Sequence, residues 1–379
     1  MALGIGLVGC GNISDVYLVN SALFRDIRLI AVSDINIDAA KSKGAKYGLP
    51  AVTPRELLKR DDVDIVLNLT IPAVHVDVSL AAIDAGKHVY TEKPLAISFK
   101  DGQAIMKAAG RRGVKVGGSP DTVLGAGVQT ARRMIDTNDA GEIVTGTAAV
   151  LSHGMENWHP NPVFFFKPGG GPVLDMGPYY LSTLVNLLGP VESIAATGKM
   201  GFKQRTVTSQ GPMKGKRIKV ETLTTVNALL SFANGASVVL MMSWDVWKHG
   251  QLPLELHGTK ASLRVPDPNF FGGFVEISEA GKDWRKIDTG GEIFGRPNWP
   301  PGDKRIANYR GLGLAEMANA IAKGREPRAS GSVALHVLDA MTSILTSAEA
   351  GKRVKLTSPC KRPRAFTEED AAALLKPQE

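Results

Sequence analysis

The sequence predicts an α/β protein. A doubly wound parallel sheet occupies its first third, and a second α/β unit on a mostly antiparallel open sheet follows. Three observations predict this. Short apolar runs alternate with helical patterns from Leu3 to Gly118, the rhythm of βαβ units. The first run breaks at Gly9-Cys10-Gly11-Asn12-Ile13-Ser14 before a helix, the strand, glycine turn and helix context of a dinucleotide fingerprint of the Rossmann type. After Ser119-Pro120 come strands with hairpin punctuation, such as Asn234-Gly235 between Thr224–Phe232 and Ser237–Met242, a two-residue turn signal.

The first run, Leu3 to Val8, reads as a buried parallel strand. Gly9 allows the tight turn, and Gly11 lets backbone approach a pyrophosphate. Asn12 and Ile13 open the helix whose free N–H groups meet the anion. Ser14 stands at the third glycine position and is small enough to pack close to the strand. The next strand, Ile27 to Ser33, ends at Asp34, placed to accept hydrogen bonds from the adenosine ribose and to repel a 2′-phosphate. Asp34 reads alternatively as a helix N-cap. Thr53-Pro54-Arg55-Glu56 is a capping box with proline at the first helical position. Asp64 to Leu69 is a buried strand ending at Thr70-Ile71-Pro72, and His75 opens the following helix. Thr70, Pro72 and His75 are therefore expected on the nicotinamide side, while His75 reads equally as a helix-start histidine with no ligand.

His88 to Thr91 is the strand that delivers Glu92-Lys93-Pro94. A lysine at the carboxyl end of such a strand sits where open α/β sheets bind ligands. Pro94 fixes its own φ, restricts Lys93 and admits a cis bond. The alternative is an ordinary strand-to-helix turn with a solvated lysine. Ser98 caps a helix to about Arg112, and Lys115 to Gly118 is the last strand of this sheet.

Beyond it, a helix over about Ala126 to Thr137 leads to a strand from Ile143 to Leu151. The next loop is rich in aromatic and polar residues, including His153, Trp158, His159, Asn161 and Phe164 to Lys167. Flat rings cover C–H faces and polar groups meet hydroxyls, so His153, Trp158 and His159 are substrate-binding candidates. The same aromatics would also suit a core or an interface. Gly169-Gly170-Gly171-Pro172 then turns into a helix carrying Asp175 and Tyr179 four apart, on one face. The stretch from Gly281 to Asn308 reads as a lid or subunit contact. Helices over about 309–322 and 333–350, the latter capped by Ser332, close the chain.

At 379 residues the chain fits two domains: residues 1–119 for a dinucleotide, 120–358 for substrate and assembly, and 359–379 as a tail. The two cysteines, Cys10 and Cys360, imply no disulfide framework, and the expected compartment is the cytoplasm. No basic leader or long apolar run is seen, so no membrane span is expected. The net charge of +8 gathers partly in Lys199 to Lys219 and Lys352 to Arg364. These read as a solvated arm and tail rather than a nucleic-acid module. No metal site is expected, because the cysteines are isolated and the histidines lack a matching ligand set.

The fingerprint, the mid-chain Glu92-Lys93-Pro94 and the run Gly-Gly-Gly-Pro-Val-Leu-Asp-Met-Gly-Pro-Tyr, in this order, resemble the Gfo/Idh/MocA oxidoreductases. The resemblance covers nearly the whole chain. It implies NAD(H) or NADP(H), hydride transfer at a ring carbon of a sugar or cyclitol, and an open sheet that packs in homodimers or homotetramers. It also implies that Lys93 is the active-site lysine and Asp175 the aspartate that orients it and the substrate. Tyr179 falls where most members carry a histidine acid/base, so Tyr179, Lys93 and His159 all stand as candidates for the proton. Lys93, Asp175 and Tyr179 form the expected catalytic group. Glu92 and Lys93 join Gly9, Gly11, Asn12, Ile13 and Asp34 at the cofactor, which Asp34 makes NAD rather than NADP. Two other functions fit the same family: a glycoside-processing enzyme acting by transient oxidation and elimination, and an NAD-sensing regulator without turnover.

Overall fold

The structure, a computed structural model, describes residues 2–377. Six strands form a parallel sheet: β1 (Leu3–Val8), β2 (Ile27–Ser33), β3 (Ala51–Val52), β4 (Ile65–Asn68), β5 (His88–Thr91) and β6 (Val116–Gly118). Their order is β3-β2-β1-β4-β5-β6. The chain winds outward from β1 to β3, then returns to the other side of β1 at β4. That reversal opens a crevice at the carboxyl ends of β1 and β4, the place where such sheets take ligands.

The ten α-helices among the described residues are α1 (Ser14–Asn20), α2 (Ile37–Tyr47), α3 (Pro54–Leu58), α4 (His75–Asp84), α5 (Phe99–Arg112), α6 (Ala126–Asp136), α7 (Pro172–Leu188), α8 (Leu312–Ala322), α9 (Gly331–Ala350) and α10 (Glu368–Leu374). Parallel strands covered on both faces are apolar throughout, and here the two faces feed two cores. Ile5, Leu7, Ile65, Leu67 and Tyr90 pack with residues of α1, α2 and α8. Val8, Val66 and Val89 pack with residues of α3, α4 and α5. Residues of α8 thus lie far along the chain yet wall the first sheet.

The helix starts follow their capping residues. Thr53 and Glu56 close a capping box on α3, and the Ser98 side chain accepts from the Asp101 N–H on α5. Asn36, not Asp34, caps α2 through the Asp38 N–H. Ser330 rather than Ser332 caps α9: Ser330 has the extended backbone of a cap, and its side chain accepts from the Val333 N–H.

The second sheet has nine strands, built on β7 (Ile143–Leu151), β8 (Val191–Lys199), β11 (Thr225–Phe232), β12 (Ser237–Ser243), β13 (Leu254–Gly258), β14 (Ala261–Val265), β15 (Phe274–Glu279), β16 (Arg285–Asp288) and β17 (Val354–Lys355). The order is β16-β15-β14-β13-β7-β12-β11-β8-β17. Neighbours are antiparallel except β7 with β12. One face, with Val226, Leu230, Val238 and Leu240, packs with residues of α7 and α9. On the other, Val144, Leu229 and Val239 are exposed.

Two expectations change. The basic stretch from Lys199 to Lys219 is not all solvated. It forms a ribbon of β9 (Gln204–Thr206) and β10 (Arg217–Lys219). Arg205 is buried there between the carboxylates of Glu156 and Asp245. The segment read as a lid is anchored: Phe294 is buried beside Phe24, Tyr309 and Phe366, and Asn298 bonds Asn20 of α1.

Candidate active site

The centre of the site is the corner that leaves β5. The Glu92 amide donates to the Asn68 carbonyl at 2.9 Å. Its carboxylate accepts from the Tyr17 hydroxyl at 2.6 Å and from the Lys93 amide at 2.9 Å. Tyr17, fully buried, also lies 2.9 Å from Ser119 Oγ. The Lys93–Pro94 peptide is cis. Beneath it the His75 ring places Nδ1 2.7 Å from the Pro94 carbonyl and Nε2 2.9 Å from the Thr70 carbonyl. His75, expected at the cofactor, is therefore a buried pin: its ring is fully enclosed, with each nitrogen against a backbone carbonyl, and the neutral ring donates to one of them.

Across the seam, α7 begins directly after Gly169-Gly170-Gly171. A Cβ on Gly170 would stand 2.4 Å from the Phe164 carbonyl oxygen, so only glycine lets this loop fold back on itself and aim the helix start at the corner. Asp175 lies in the first turn of α7. The Lys93 amine donates to Asp175 Oδ1 and to the Asp175 carbonyl, both at 2.8 Å. It also lies 5.2 Å from the centroid of the Tyr179 ring, one turn further on. Burial pushes the amine down. The Asp175 carboxylate, followed by Tyr179, outweighs that and holds Lys93 above the usual lysine value. Lys93 is an ammonium at neutral pH.

The Tyr179 hydroxyl meets a residue that the sequence did not single out. Arg310 donates to it at 3.5 Å, and to Asn269 Oδ1 and Asn308 Oδ1 at 3.2 and 2.9 Å. Burial disfavours the guanidinium charge, but Tyr179, Glu92 and Asp121 raise its pKa above the ordinary arginine value. Asp121 is buried under the start of α8, where it accepts from the Gly311 and Gly313 N–H groups at 2.9 and 3.0 Å. Burial pushes its carboxyl up to about 6 against those two bonds. Arg310 and Tyr17 follow no motif spacing; Arg310 reaches Tyr179 from 131 positions away.

On the cofactor side, Gly9 has φ +102°, and a Cβ there would lie 2.7 Å from the Leu69 carbonyl. A Cβ on Gly11 would meet nothing within 4 Å, so its approach path is open. Asn12 and Ile13 are exposed beside it. Asp34 stands at the tip of β2, where its carboxylate accepts from the Cys10 and Asn36 N–H groups at 2.8 and 2.9 Å. Each oxygen keeps lone-pair capacity for a ribose hydroxyl. These residues fit a dinucleotide.

Pro72, Lys93 and Asp175 line a cleft of about 570 Å³ together with Asn161, Phe164 and Phe165. The aromatic loop divides around it. Trp158 is exposed and does not line the cleft. His159 meets Phe164 and Phe165 edge-on, accepts from the Asn161 N–H, and does not line it either. His153 stacks on Trp247 at 3.3 Å and contacts the buried Arg205. The sequence expectation for these three fails because this loop is built from 3₁₀ turns at Met155–Asn157 and Val163–Phe166. Its facing cannot be read from helix or strand periodicity.

Residues 3–118 match the model of an oxidoreductase family with an NAD-binding Rossmann fold, and residues 128–264 match the GFO/IDH/MocA C-terminal domain. An inositol 2-dehydrogenase of Gluconacetobacter diazotrophicus is 40% identical over 125 residues, 31% of this chain and 37% of that one. A 1,5-anhydro-D-fructose reductase of Ensifer adhaerens is 25% identical over 68% of this chain and 74% of its own. The solved structure of a levoglucosan dehydrogenase in complex with NADH superposes with a TM-score of 0.80 at 19% identity, over 95% of this chain and all of that one. Two models of one family match the two halves in the order in which the sheets follow each other, and the chain belongs to the Gfo/Idh/MocA oxidoreductases.

Proposed function

We propose that the protein is an NAD-dependent dehydrogenase acting on a ring secondary alcohol of a sugar, sugar derivative or cyclitol. The observation that carries this is the Lys93 ammonium, held by Asp175 beside Tyr179 in a cleft that adjoins the dinucleotide crevice. Relatives named for inositol, anhydrofructose and levoglucosan support the substrate class.

Gly9, Gly11, Asn12 and Ile13 would hold the pyrophosphate and Asp34 the adenosine ribose, with Thr70, Pro72 and Glu92 toward the nicotinamide. Bound there, NAD supplies the acceptor for the hydride of the substrate carbon. This chain's residues do the rest. Lys93, charged, donates a hydrogen bond to the reacting oxygen and is not its base. Asp175 fixes the amine and can accept from a neighbouring hydroxyl. Tyr179, as its phenolate, takes the hydroxyl proton and becomes the neutral phenol, while the Arg310 guanidinium donates a hydrogen bond to the same oxygen. A panel of sugars, anhydrosugars, glycosides and inositols with NAD and NADP, read by absorbance of the reduced cofactor, tests the reading. Turnover of none of them would refute it.

The exposed apolar side chains on the open face of the second sheet support assembly of copies through that face. Light scattering that reports a concentration-independent monomer would count against a homodimer or homotetramer. No helix among the described residues is long and apolar enough to cross a membrane. A cytoplasmic location is in keeping with the two unpaired cysteines.

A further inference from the structure

We infer that the cleft is shaped for a glycoside with an apolar aglycone rather than for a free sugar or cyclitol. The inference rests on the dehydrogenase reading above.

Lys93 and Asp175 are the polar groups that the cofactor domain and α7 bring to the cleft. Ile71, Pro72 and Ala73, from the turn after β4, line it on the first domain's side and are apolar. The wall that remains is carbon: Ile97, Val163, Phe164, Phe165, Pro168 and Leu174. Only two other polar side chains reach it, Lys167 and Asn161. The Lys167 amine is neutralised by Glu221 at 2.9 Å. The glycine turn offers few donors, because the Gly170 and Gly171 N–H groups are spent on the Lys167 and Phe165 carbonyls at 2.8 Å.

Two of the carbon side chains stand open to solvent: Phe164 is 52% exposed and Ile97 37%. They belong to opposite sides of the seam, one to the loop before α7 and the other to the segment after Lys93. Apolar surface left uncovered on both lips of a cleft marks a binding surface.

A cyclitol carries a hydroxyl on every ring carbon. Most of those hydroxyls would be buried here against carbon without a partner, which is unfavourable. A glycoside turns its hydroxylated ring toward Lys93 and Asp175 and lays its aglycone between Ile97 and Phe164. Carbon then leaves water on both sides of the contact.

The test measures NADH formation by the full chain with NAD⁺ and matched methyl and phenyl glucosides of both anomers, with myo-inositol alongside. The expected result is a kcat/KM for a phenyl glucoside at least about tenfold above its methyl partner. Phe164→Ala and Ile97→Ser are expected to pull that ratio toward one. The wild-type ratio decides the matter even if a variant fails to fold. Equal rates for phenyl and methyl glucosides, or faster turnover of myo-inositol than of either, would overturn the aglycone assignment and leave the dehydrogenase reading standing. No NADH from any of the glucosides would also overturn the aglycone assignment, and it would overturn the dehydrogenase reading only if the wider panel of sugars, anhydrosugars, glycosides and inositols gave none either.

Discussion

Arg310 brings its guanidinium to 3.5 Å from the Tyr179 hydroxyl, from a loop that reaches the site only because Asp121 holds the start of α8. With the Lys93 ammonium near the ring of the same tyrosine, the phenol sits between two cations. Both cations stand where they can meet the oxygen chemistry of the cleft, and Arg310 donates to the phenol oxygen itself.

Tyr179→Phe is expected to lower kcat at least about 100-fold, the scale of lost acid/base catalysis. Arg310→Met should lower kcat as well, with little change in NAD affinity, because the hydrogen bond that the guanidinium donates to the Tyr179 oxygen is gone. Steady-state kinetics and NAD titration check both. Full kcat in Arg310→Met would show that the proton goes elsewhere.

Lys93→Met and Asp175→Ala should each lower kcat by about 100-fold or more while NAD still binds. Asp175→Asn separates their roles. Burial alone pushes the Lys93 amine down, and Asp175 opposes it. Without the carboxylate, Lys93 loses its proton at lower pH. The activity of Asp175→Asn should then fall earlier on the alkaline side than that of the wild type. Coincident alkaline limbs would mean that Lys93 need not be charged.

Much of this site was legible in the sequence wherever the signal is local. Gly9, Gly11 and Asp34 fall at fixed spacings because strand, turn and helix are consecutive. Lys93 and Asp175 stand out because a proline corner and a glycine turn mark them. What was not legible comes from distant parts of the chain. Arg310 has no periodic neighbours, and its partners Tyr179, Asn269 and Asn308 lie in two other segments and its own loop. His75 looked like a ligand because it opens a helix at the right turn. Only the fold reveals that its ring is enclosed against two carbonyls. Charge runs mislead in the same way: Arg205 sits in a basic stretch but is buried with Glu156 and Asp245.

The cofactor preference should rest on Asp34. Its carboxylate is fixed at the tip of β2 by the Cys10 and Asn36 amides, so it cannot swing away from a 2′-phosphate without losing both bonds. Wild-type kcat/KM should favour NAD, and Asp34→Ala should narrow or reverse the ratio. Equal kcat/KM for NAD and NADP in the wild type would remove this role.

Asp121 supplies a stability prediction whose sign can be worked out. Its carboxyl is raised from the usual aspartate value of about 3.8 to about 6, first by burial and against the Gly313 and Gly311 amide bonds. The folded state therefore holds its proton more tightly than the unfolded state. Below about pH 3.8 both states are protonated and the group makes no difference. Between about 3.8 and 6 the unfolded chain sheds the proton first, so stability falls as pH rises. Above about 6 the loss is complete, on the order of 3 kcal/mol for a shift of this size. Asp121→Asn cannot ionise, yet it keeps an oxygen for the Gly311 and Gly313 N–H groups. The unfolding free energy of the variant minus that of the wild type should grow from pH 4 to pH 6 and then level off. Denaturant melts of both proteins at pH 4, 5, 6 and 7 measure it, and a constant difference across that range would mean that Asp121 titrates like an exposed carboxylate.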